Sequence, residues 1–215
     1  MNAPRQPLEV GYQVGAAKLH EFANWCEDLG IPMITLWVLS PENFSRPAEE
    51  IGPLLEIIAK LVEDLAATGR WQVQIVGDLE LLPADNVKRL LACQEKTADR
   101  QGLHINVAVS YGGRHELRDA VRSLLATKSA EGATLDELAA TIEIDDISDH
   151  LYTKGQPDPD LVIRTSGEQR LSGFLIWQSA HSEFYFHEAL WPDFRKVDFI
   201  RVLRTFTRRE RRFGS

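Results

Sequence analysis

Short polar segments that combine arginine with serine, glycine or amide residues carry the clearest chemistry in this 215-residue sequence. They are residues 40–46, 111–114 and 166–172, and a further segment, 179–183, contains a carboxylate. Guanidinium groups, hydroxyls and free backbone N–H groups together suit the binding of a phosphate or diphosphate. A nearby carboxylate suits Mg²⁺ that bridges such a phosphate. The residue types alone therefore predict an anion site that can include a metal ion.

Each of these segments follows a short apolar run, which indicates the elements that position it. We predict strands at residues 33–39, 73–76, 105–110, 161–165 and 174–178. We predict helices at residues 15–29, 48–67, 84–101, 114–126 and 197–211. Strands that alternate with helices are typical of an α/β fold with a mostly parallel central sheet flanked by helices. In such sheets ligands bind beyond the carboxyl ends of the strands, where the polar segments lie.

Composition excludes several classes of protein. The net charge of −8 argues against a nucleic-acid partner. The longest apolar run, residues 33–39, is too short to cross a bilayer, and the first ten residues lack the apolar core of a signal peptide. Cys26 and Cys93 lie outside any CxxC pattern, which favours a reducing compartment. We expect a cytoplasmic protein whose residues 1–215 form a single domain.

One stretch is specific enough to indicate a family. Residues 157–178 read PDPDLVIRTSGEQRLSGFLIWQ and are followed by SEFYF at 182–186 and by WP at 191–192. This stretch resembles the signature of the cis-prenyltransferases, which include undecaprenyl diphosphate synthases and short-chain Z-farnesyl diphosphate synthases. LSPENFSRP at 39–47, YGGR at 111–114 and RRFG at 211–214 resemble further motifs of that family.

The resemblance implies the α/β cis-prenyltransferase fold and not the all-helical fold of the trans-prenyltransferases. It implies an isoprenyl transferase that condenses isopentenyl diphosphate with an allylic diphosphate (geranyl or farnesyl), forms a Z-prenyl diphosphate and releases diphosphate. It also implies Mg²⁺ as cofactor and a homodimer, and long prenyl products would allow peripheral contact with a membrane. Val38 is bulkier than the small residue that long-chain members tend to carry there, which favours a short product.

The resemblance also implies roles for individual residues. The positions that match substrate-binding residues of the family are Ser40, Pro41, Glu42, Phe44, Arg46, Arg164, Arg170, Leu171 and Ser172. Of these, Arg164, Arg170 and Ser172 would bind isopentenyl diphosphate, and Glu183 matches the family's Mg²⁺ ligand. Asn43 matches the catalytic residue that the family assigns to removing a proton from the isopentenyl carbon. Because an amide is a weak base, we interpret Asn43 as orienting the substrate while a diphosphate oxygen takes the proton.

Structural alternatives remain for these residues. Arg164 could form an ion pair with Asp158 or Asp160, Asn43 could be only a turn residue, and Glu183 could be a carboxylate favoured at the start of a helix. Residues 145–149, DDISD, spell the DDxxD magnesium motif of the trans-prenyltransferases. We interpret these aspartates as helix-capping residues, because the motif occurs once in a predicted sheet protein.

The family normally opens with a strand and an Asp-Gly-Asn-x-x-Arg-Trp loop, whose aspartate is its principal catalytic residue. This sequence joins the family pattern near Gly11, and Leu8 and Tyr12 stand where many members have a diphosphate-binding Arg and His. We therefore expect an N-terminally incomplete domain. One hypothesis is an active transferase whose recorded start lies too far downstream. The alternative is an inactive homologue that acts as a partner or regulatory subunit. We favour the hypothesis of a misplaced start, because a domain without this buried strand would leave backbone polar groups unpaired. Each such group costs about 1–3 kcal/mol.

Overall fold

The chain forms two parallel β-sheets covered by helices, in a computed structural model that describes residues 8–208, with side chains from residue 10 onward. The strands are β1 (Met33–Trp37), β2 (Gln72–Val76), β3 (His104–Ala108), β4 (Leu161–Arg164) and β5 (Glu183–Phe186). The first sheet has the order β1–β3–β2, and the second sheet pairs β4 with β5. Every ladder is parallel, which confirms the predicted α/β class.

The helices are α1 (Leu8–Asp28), α2 (Ala48–Ala67), α3 (Ala84–Thr97), α4 (Gly113–Ala130), α5 (Leu135–Thr141), α6 (Ile144–Ser148) and α7 (Lys196–Arg208). The bounds of α2 are the predicted ones, because its apolar stripe recurs at helical spacing and is buried against the first sheet. The short helices α5 and α6 were not predicted, since both are acidic and exposed over most of their length. None of the helices described between residues 8 and 208 combines the length and apolar character of a membrane span.

The predicted strand at 174–178 is wrong. These residues form turns, and the strand of this region is β5, which follows them. Left-handed backbone angles at Ser172 (φ 52°), Gly173 (φ 84°) and Leu175 (φ 45°) prevent an extended run. The apolar side chains are buried as a turn instead, as Leu175 is 3% exposed. A short apolar run does not by itself distinguish these two arrangements.

A cavity of about 910 Å³ lies between β1 and β4. Its wall includes every residue from 33 to 38 and from 158 to 166. Because successive side chains of a strand point to opposite faces, a wall of consecutive residues means that the cavity meets the strand edges. Both β1 and β4 are edge strands in the described sheets. The remaining wall is largely apolar and includes Leu19 and Phe22 of α1 and Leu54, Ile58 and Leu61 of α2.

Candidate functional site

The loop that follows β4 carries the densest group of predicted site residues, and we name residues 165–173 the arginine loop. Its backbone has left-handed φ angles at Ser166 (82°), Gly167 (71°), Ser172 (52°) and Gly173 (84°). Two of these four are serines, and such conformations in residues other than glycine concentrate at functional sites. The surrounding fold must therefore hold this loop in place.

Backbone hydrogen bonds hold the arginine loop at both ends. The N–H groups of Ser166 and Gly167 donate to the carbonyls of Ala189 and His187 at 2.8 and 2.9 Å. At the other end, the N–H of Gly113, the first residue of α4, donates to the carbonyl of Gly173 at 2.9 Å. The loop is thus fixed between the segment after β5 and the start of α4.

The structure brings Arg164, Arg170 and Ser172 together, as the sequence predicts. Arg164 Nη1 donates to Ser172 Oγ at 2.7 Å and to the Arg170 carbonyl at 2.5 Å, and Arg170 Nε donates to Ser172 Oγ at 3.3 Å. Both guanidinium groups also form ion pairs with the carboxylate of Glu168. Arg164, Arg170 and Leu171 line the cavity beside β4. Two cations that share hydrogen bonds with the Ser172 hydroxyl therefore line a largely apolar cavity.

The second group of predicted residues forms a 3₁₀ turn after β1, and we name it the Ser40–Arg46 turn. Asn43 Oδ1 accepts a hydrogen bond from the Ser40 N–H at 2.9 Å, and the Asn43 carbonyl accepts one from the Arg46 N–H at 3.1 Å. Asn43 thus has the structural role that the turn interpretation describes, and its role toward a substrate stays a prediction. Since the side-chain oxygen already accepts a bond, the amide NH₂ is the group that it can offer to a substrate.

Charged groups of the Ser40–Arg46 turn have close partners as well. The Ser40 hydroxyl beside Glu42 lowers the pKa of that exposed carboxyl, so Glu42 is held ionised. Arg46 donates to the Tyr12 hydroxyl, and its guanidinium lies 5.9 Å from the centroid of the Tyr12 ring. Tyr12 also lines the cavity. Phe44 packs against the main core, and Pro41 begins the 3₁₀ turn.

Aromatic side chains connect the arginine loop with the strand that precedes the Ser40–Arg46 turn. Trp37, the last residue of β1, stacks on Phe174 with ring centroids 5.2 Å apart and planes at 7°. Tyr111 meets the same Phe174 ring edge-on at 5.9 Å, and Trp37 Nε1 donates to the Tyr111 carbonyl at 3.1 Å. Sequence reasoning missed this cluster, because its members lie far apart in the chain. The cluster fixes the two halves of the candidate site relative to each other.

A buried carboxyl group lies behind the aromatic cluster. Glu116 is 1% exposed and accepts hydrogen bonds from Tyr111 Oη at 2.5 Å, Tyr152 N at 3.0 Å and Gln178 Nε2 at 3.1 Å. Burial raises the pKa of Glu116 and also that of Tyr111. Gln178 donates to Thr153 Oγ1 as well, at 2.8 Å. These bonds connect α4 with the segment that follows the arginine loop.

The structure does not bring Glu183 to the arginines. Glu183 begins β5 opposite Leu161, whereas Arg164 pairs with Phe186 at the far end of the same ladder. Three residues of parallel strand span about 10 Å. In the part of the chain that is described, no three His, Cys, Asp or Glu side chains are grouped to hold a metal ion. These residues do not by themselves form a Mg²⁺ site, and Glu183 as a metal ligand stays a prediction.

Asp146 of the DDxxD sequence has the predicted structural role. The Asp146 carboxylate accepts a hydrogen bond from the Glu143 N–H at 2.9 Å, as part of a capping box at the start of α6. The capping interpretation is thereby confirmed for Asp146. The RRFG motif at 211–214 and the side chain of Leu8 lie outside the described residues.

The fold and the site together define an α/β protein in which paired arginines lie beside an apolar cavity. The sequence profile of the family described as "Putative undecaprenyl diphosphate synthase" matches residues 2–214. The chain belongs to this prenyltransferase family.

Individual relatives agree with this assignment. The chain is 54% identical to the (2Z,6E)-farnesyl diphosphate synthase of Mycolicibacterium smegmatis, over 97% of this chain and 80% of that protein. It is 53% identical to Isoprenyl transferase 1 of Streptomyces avermitilis, over 95% of this chain and 80% of that protein. Among solved structures it is similar to lavandulyl diphosphate synthase from Lavandula x intermedia in complex with dimethylallyl diphosphate. That match has a TM-score of 0.89 and 31% identity, and it covers 97% of this chain and 90% of the other.

Proposed function

We propose that the protein is an isoprenyl transferase that condenses isopentenyl diphosphate with geranyl or farnesyl diphosphate to give a short Z-prenyl diphosphate. The observation that carries the proposal is the cavity, which combines Arg164 and Arg170 with an apolar wall. A prenyl diphosphate has the matching form, with a multiply charged head and a hydrocarbon tail. Relatives at 54% and 55% identity that are named (2Z,6E)-farnesyl diphosphate synthase support the same reaction.

In this proposal each half of the site has a separate task. Arg164, Arg170 and Ser172 bind the diphosphate of isopentenyl diphosphate, since each guanidinium can fork onto two phosphate oxygens. Arg46 faces the allylic diphosphate, and fixed positive charge stabilises the diphosphate that leaves as the allylic C–O bond breaks. The Asn43 NH₂ orients the isopentenyl group, and a diphosphate oxygen accepts the proton released as the new C–C bond forms.

A short product is part of the proposal. Val38, Leu54, Ile58 and Leu61 all line the cavity, and their branched side chains occupy space that a long hydrocarbon chain needs. Short-chain relatives, such as the Short-chain Z-isoprenyl diphosphate synthase of Mycobacterium leprae at 53% identity, support this expectation. A C15 product from geranyl diphosphate is the expected outcome, and products of C50 or longer would contradict it.

A Mg²⁺ requirement, a homodimer and peripheral membrane contact of a cytoplasmic protein also belong to the proposal. Exposed apolar side chains at Val121, Leu125 and Leu135 support an interface that covers α4 and α5. Removing Mg²⁺ with EDTA, sedimentation equilibrium and flotation with lipid vesicles test the three statements separately. Loss of product formation, a dimer mass and co-flotation are the expected results.

The decisive experiment measures incorporation of labelled isopentenyl diphosphate by the purified 215-residue protein, with Mg²⁺ and geranyl or farnesyl diphosphate. A version extended upstream in the reading frame is assayed in parallel. A short Z-prenyl diphosphate from either version supports the proposal. If both versions fold and bind isopentenyl diphosphate but neither forms product, the transferase assignment is wrong and the partner-subunit alternative replaces it.

A further inference from the structure

Glu168 occupies the space between the two arginines that the proposed function assigns to diphosphate. One carboxylate oxygen accepts from Arg164 Nη2, and the other accepts from Arg170 Nη2 at 2.8 Å. The side chains of Arg164, Glu168 and Arg170 are 22%, 42% and 66% exposed, so solvent reaches the whole cluster. A carboxylate therefore bridges two cations at an accessible position beside the cavity.

This arrangement resembles the way in which arginine pairs hold phosphate. Guanidinium groups bind carboxylate and phosphate oxygens with the same fork geometry. The two oxygens of Glu168 thus use donors that a phosphate group needs. An incoming phosphate must displace the carboxylate from at least part of the pair. Because exposed ion pairs are individually weak, an anion with several charges can do so.

The backbone around Glu168 allows this exchange without movement of the loop. Ser166 and Gly167 are fixed through their N–H groups to the carbonyls of Ala189 and His187. Glu168 itself reaches the arginines through its flexible side chain. Rotation of that side chain toward solvent releases the guanidinium groups, while Ser172 Oγ still accepts a hydrogen bond from Arg164. Only one side chain has to move.

We propose that Glu168 is an internal competing anion that occupies the Arg164–Arg170 pair until a diphosphate replaces it. A ligand with a single phosphate gains too little from the arginines to offset the loss of the Glu168 contacts. A diphosphate carries more charge and reaches both arginines at once. Glu168 therefore lowers the affinity of the arginine pair for every anion that must displace it, so that a diphosphate still binds and a monophosphate binds too weakly to occupy the site. The inference rests on the proposed function, because it takes the two arginines as the diphosphate-binding groups.

The test is calorimetric titration of the full chain with inorganic pyrophosphate and, separately, with inorganic phosphate. The wild type is compared with Glu168→Gln, which keeps the size of the side chain and removes its charge. Glu188→Gln is the matched control, because Glu188 is exposed near the same loop and its substitution changes the net charge equally. Circular dichroism confirms that all three proteins are folded.

We expect Glu168→Gln to bind pyrophosphate about tenfold more tightly, the gain expected when two exposed ion pairs no longer compete. Its affinity for phosphate should rise by about the same factor, because both anions must displace the same carboxylate. Glu188→Gln should remain within about twofold of the wild type, because Arg164 and Arg170 form their ion pairs with Glu168 and not with Glu188.

Unchanged or weaker pyrophosphate binding by Glu168→Gln would overturn the inference, since Glu168 would then only support the loop. An equal gain in Glu188→Gln would also overturn it, because general charge would explain the effect. No detectable pyrophosphate binding by either the wild type or Glu168→Gln would overturn it as well. Failure of the proposed function is a different result: tight pyrophosphate binding with no product in the incorporation assay.

Discussion

The Ser40–Arg46 turn and the arginine loop achieve their shapes in different ways. In the turn, the bonds that set the backbone are local, such as those between Asn43 and Ser40. The arginine loop depends on partners distant in sequence, namely Gly113 on one side and residues 187–189 on the other. Local bonds can form wherever the turn sequence occurs, whereas the loop acquires its conformation only when the fold around it is complete.

The two regions differ in charge as well as in the sequence separation of their hydrogen-bond partners. Backbone and amide groups stabilise the turn, and its one arginine meets a neutral tyrosine hydroxyl. The loop holds two guanidinium groups close together with a single carboxylate between them. We therefore expect the loop to supply most of the affinity for substrate and the turn to supply orientation. The following predictions test that division.

The largest expected effect comes from comparing Arg164→Ala with Arg46→Ala. Loss of a charge-assisted fork costs about 1.5–3 kcal/mol, so Arg164→Ala should lower kcat/KM about a hundredfold. Arg46→Ala should lower it about tenfold, because a single cation in the turn is lost. Steady-state kinetics with each substrate varied in turn measures both. Arg164→Lys is the control, since it keeps the charge but loses the fork. Equal losses in the two alanine variants would contradict the division.

The next effect concerns the buried carboxyl that anchors the segment after the loop. Glu116→Ala leaves Gln178 and the Tyr152 N–H without their acceptor, and we expect a loss of about 3 kcal/mol in the free energy of unfolding. Urea denaturation measures it. Because Gln178 of this network lies in the segment after the arginine loop, KM for isopentenyl diphosphate should rise more than KM for the allylic substrate. The opposite order would show that the network supports the turn.

The same carboxyl predicts a pH dependence. Burial raises the pKa of Glu116, so between the unfolded and folded pKa values the folded protein binds more protons than the unfolded chain. The contribution to stability is present below the unfolded value, about 4.3, and is lost as the pH rises through the folded value. Glu116→Gln should remove this slope from a series of urea titrations across that range. An unchanged slope would assign the pH dependence to other groups.

A smaller effect is expected where α4 contacts the arginine loop. A Cβ at Gly113 would lie 2.5 Å from the Gly173 carbonyl oxygen and 2.7 Å from Ile176 Cγ1. Gly113→Ala therefore forces the loop away from α4, and we expect a loss of about 1–3 kcal/mol together with weaker isopentenyl diphosphate binding. Thermal denaturation and binding titrations measure the two effects.

Gly112→Ala is the matched control for that change. Its backbone is extended, and the nearest atom to an added Cβ is His115 Nδ1 at 3.1 Å, which belongs to a side chain that can adjust. We expect a change below about 1 kcal/mol. If both alanine variants lost the same stability, a general effect of substitution at the start of α4 and not the contact with the loop would explain the result.

The success of sequence reasoning followed the same division between local and long-range order. The bounds of α2 were predictable because an apolar helical stripe follows Pro47 directly. The turns at 174–178 were not, because Ser172 and Gly173 adopt left-handed angles that depend on contacts with α4 and not on local propensity. Local patterns were reliable, and segments set by distant contacts were not.

Within the site, motif spacing predicted which polar groups would meet. Arg164, Arg170 and Ser172 lie together because they share one short loop. The stacking of Trp37 on Phe174 joins residues that are 137 positions apart, and no pattern in the sequence indicates it. Glu168 differs, since an acid placed between two arginines in the sequence was a visible signal of an ion-paired cluster. The structure was needed to show that the Glu168 carboxylate bridges both arginines.

The smallest predicted effect tests the long-range hydrogen bond between Arg46 of the turn and Tyr12. Tyr12→Phe removes the hydroxyl that accepts a hydrogen bond from Arg46 and keeps the ring beneath the guanidinium. A hydrogen bond of this kind contributes about 1 kcal/mol, so KM for the allylic diphosphate should rise about fivefold. KM for isopentenyl diphosphate should stay nearly constant, because the arginine loop keeps its own bonds. Tyr12→His, which can also accept from Arg46, should restore much of the loss. Equal rises in both KM values would mean that Tyr12 stabilises the whole site, and the turn would then depend on the fold as much as the arginine loop does.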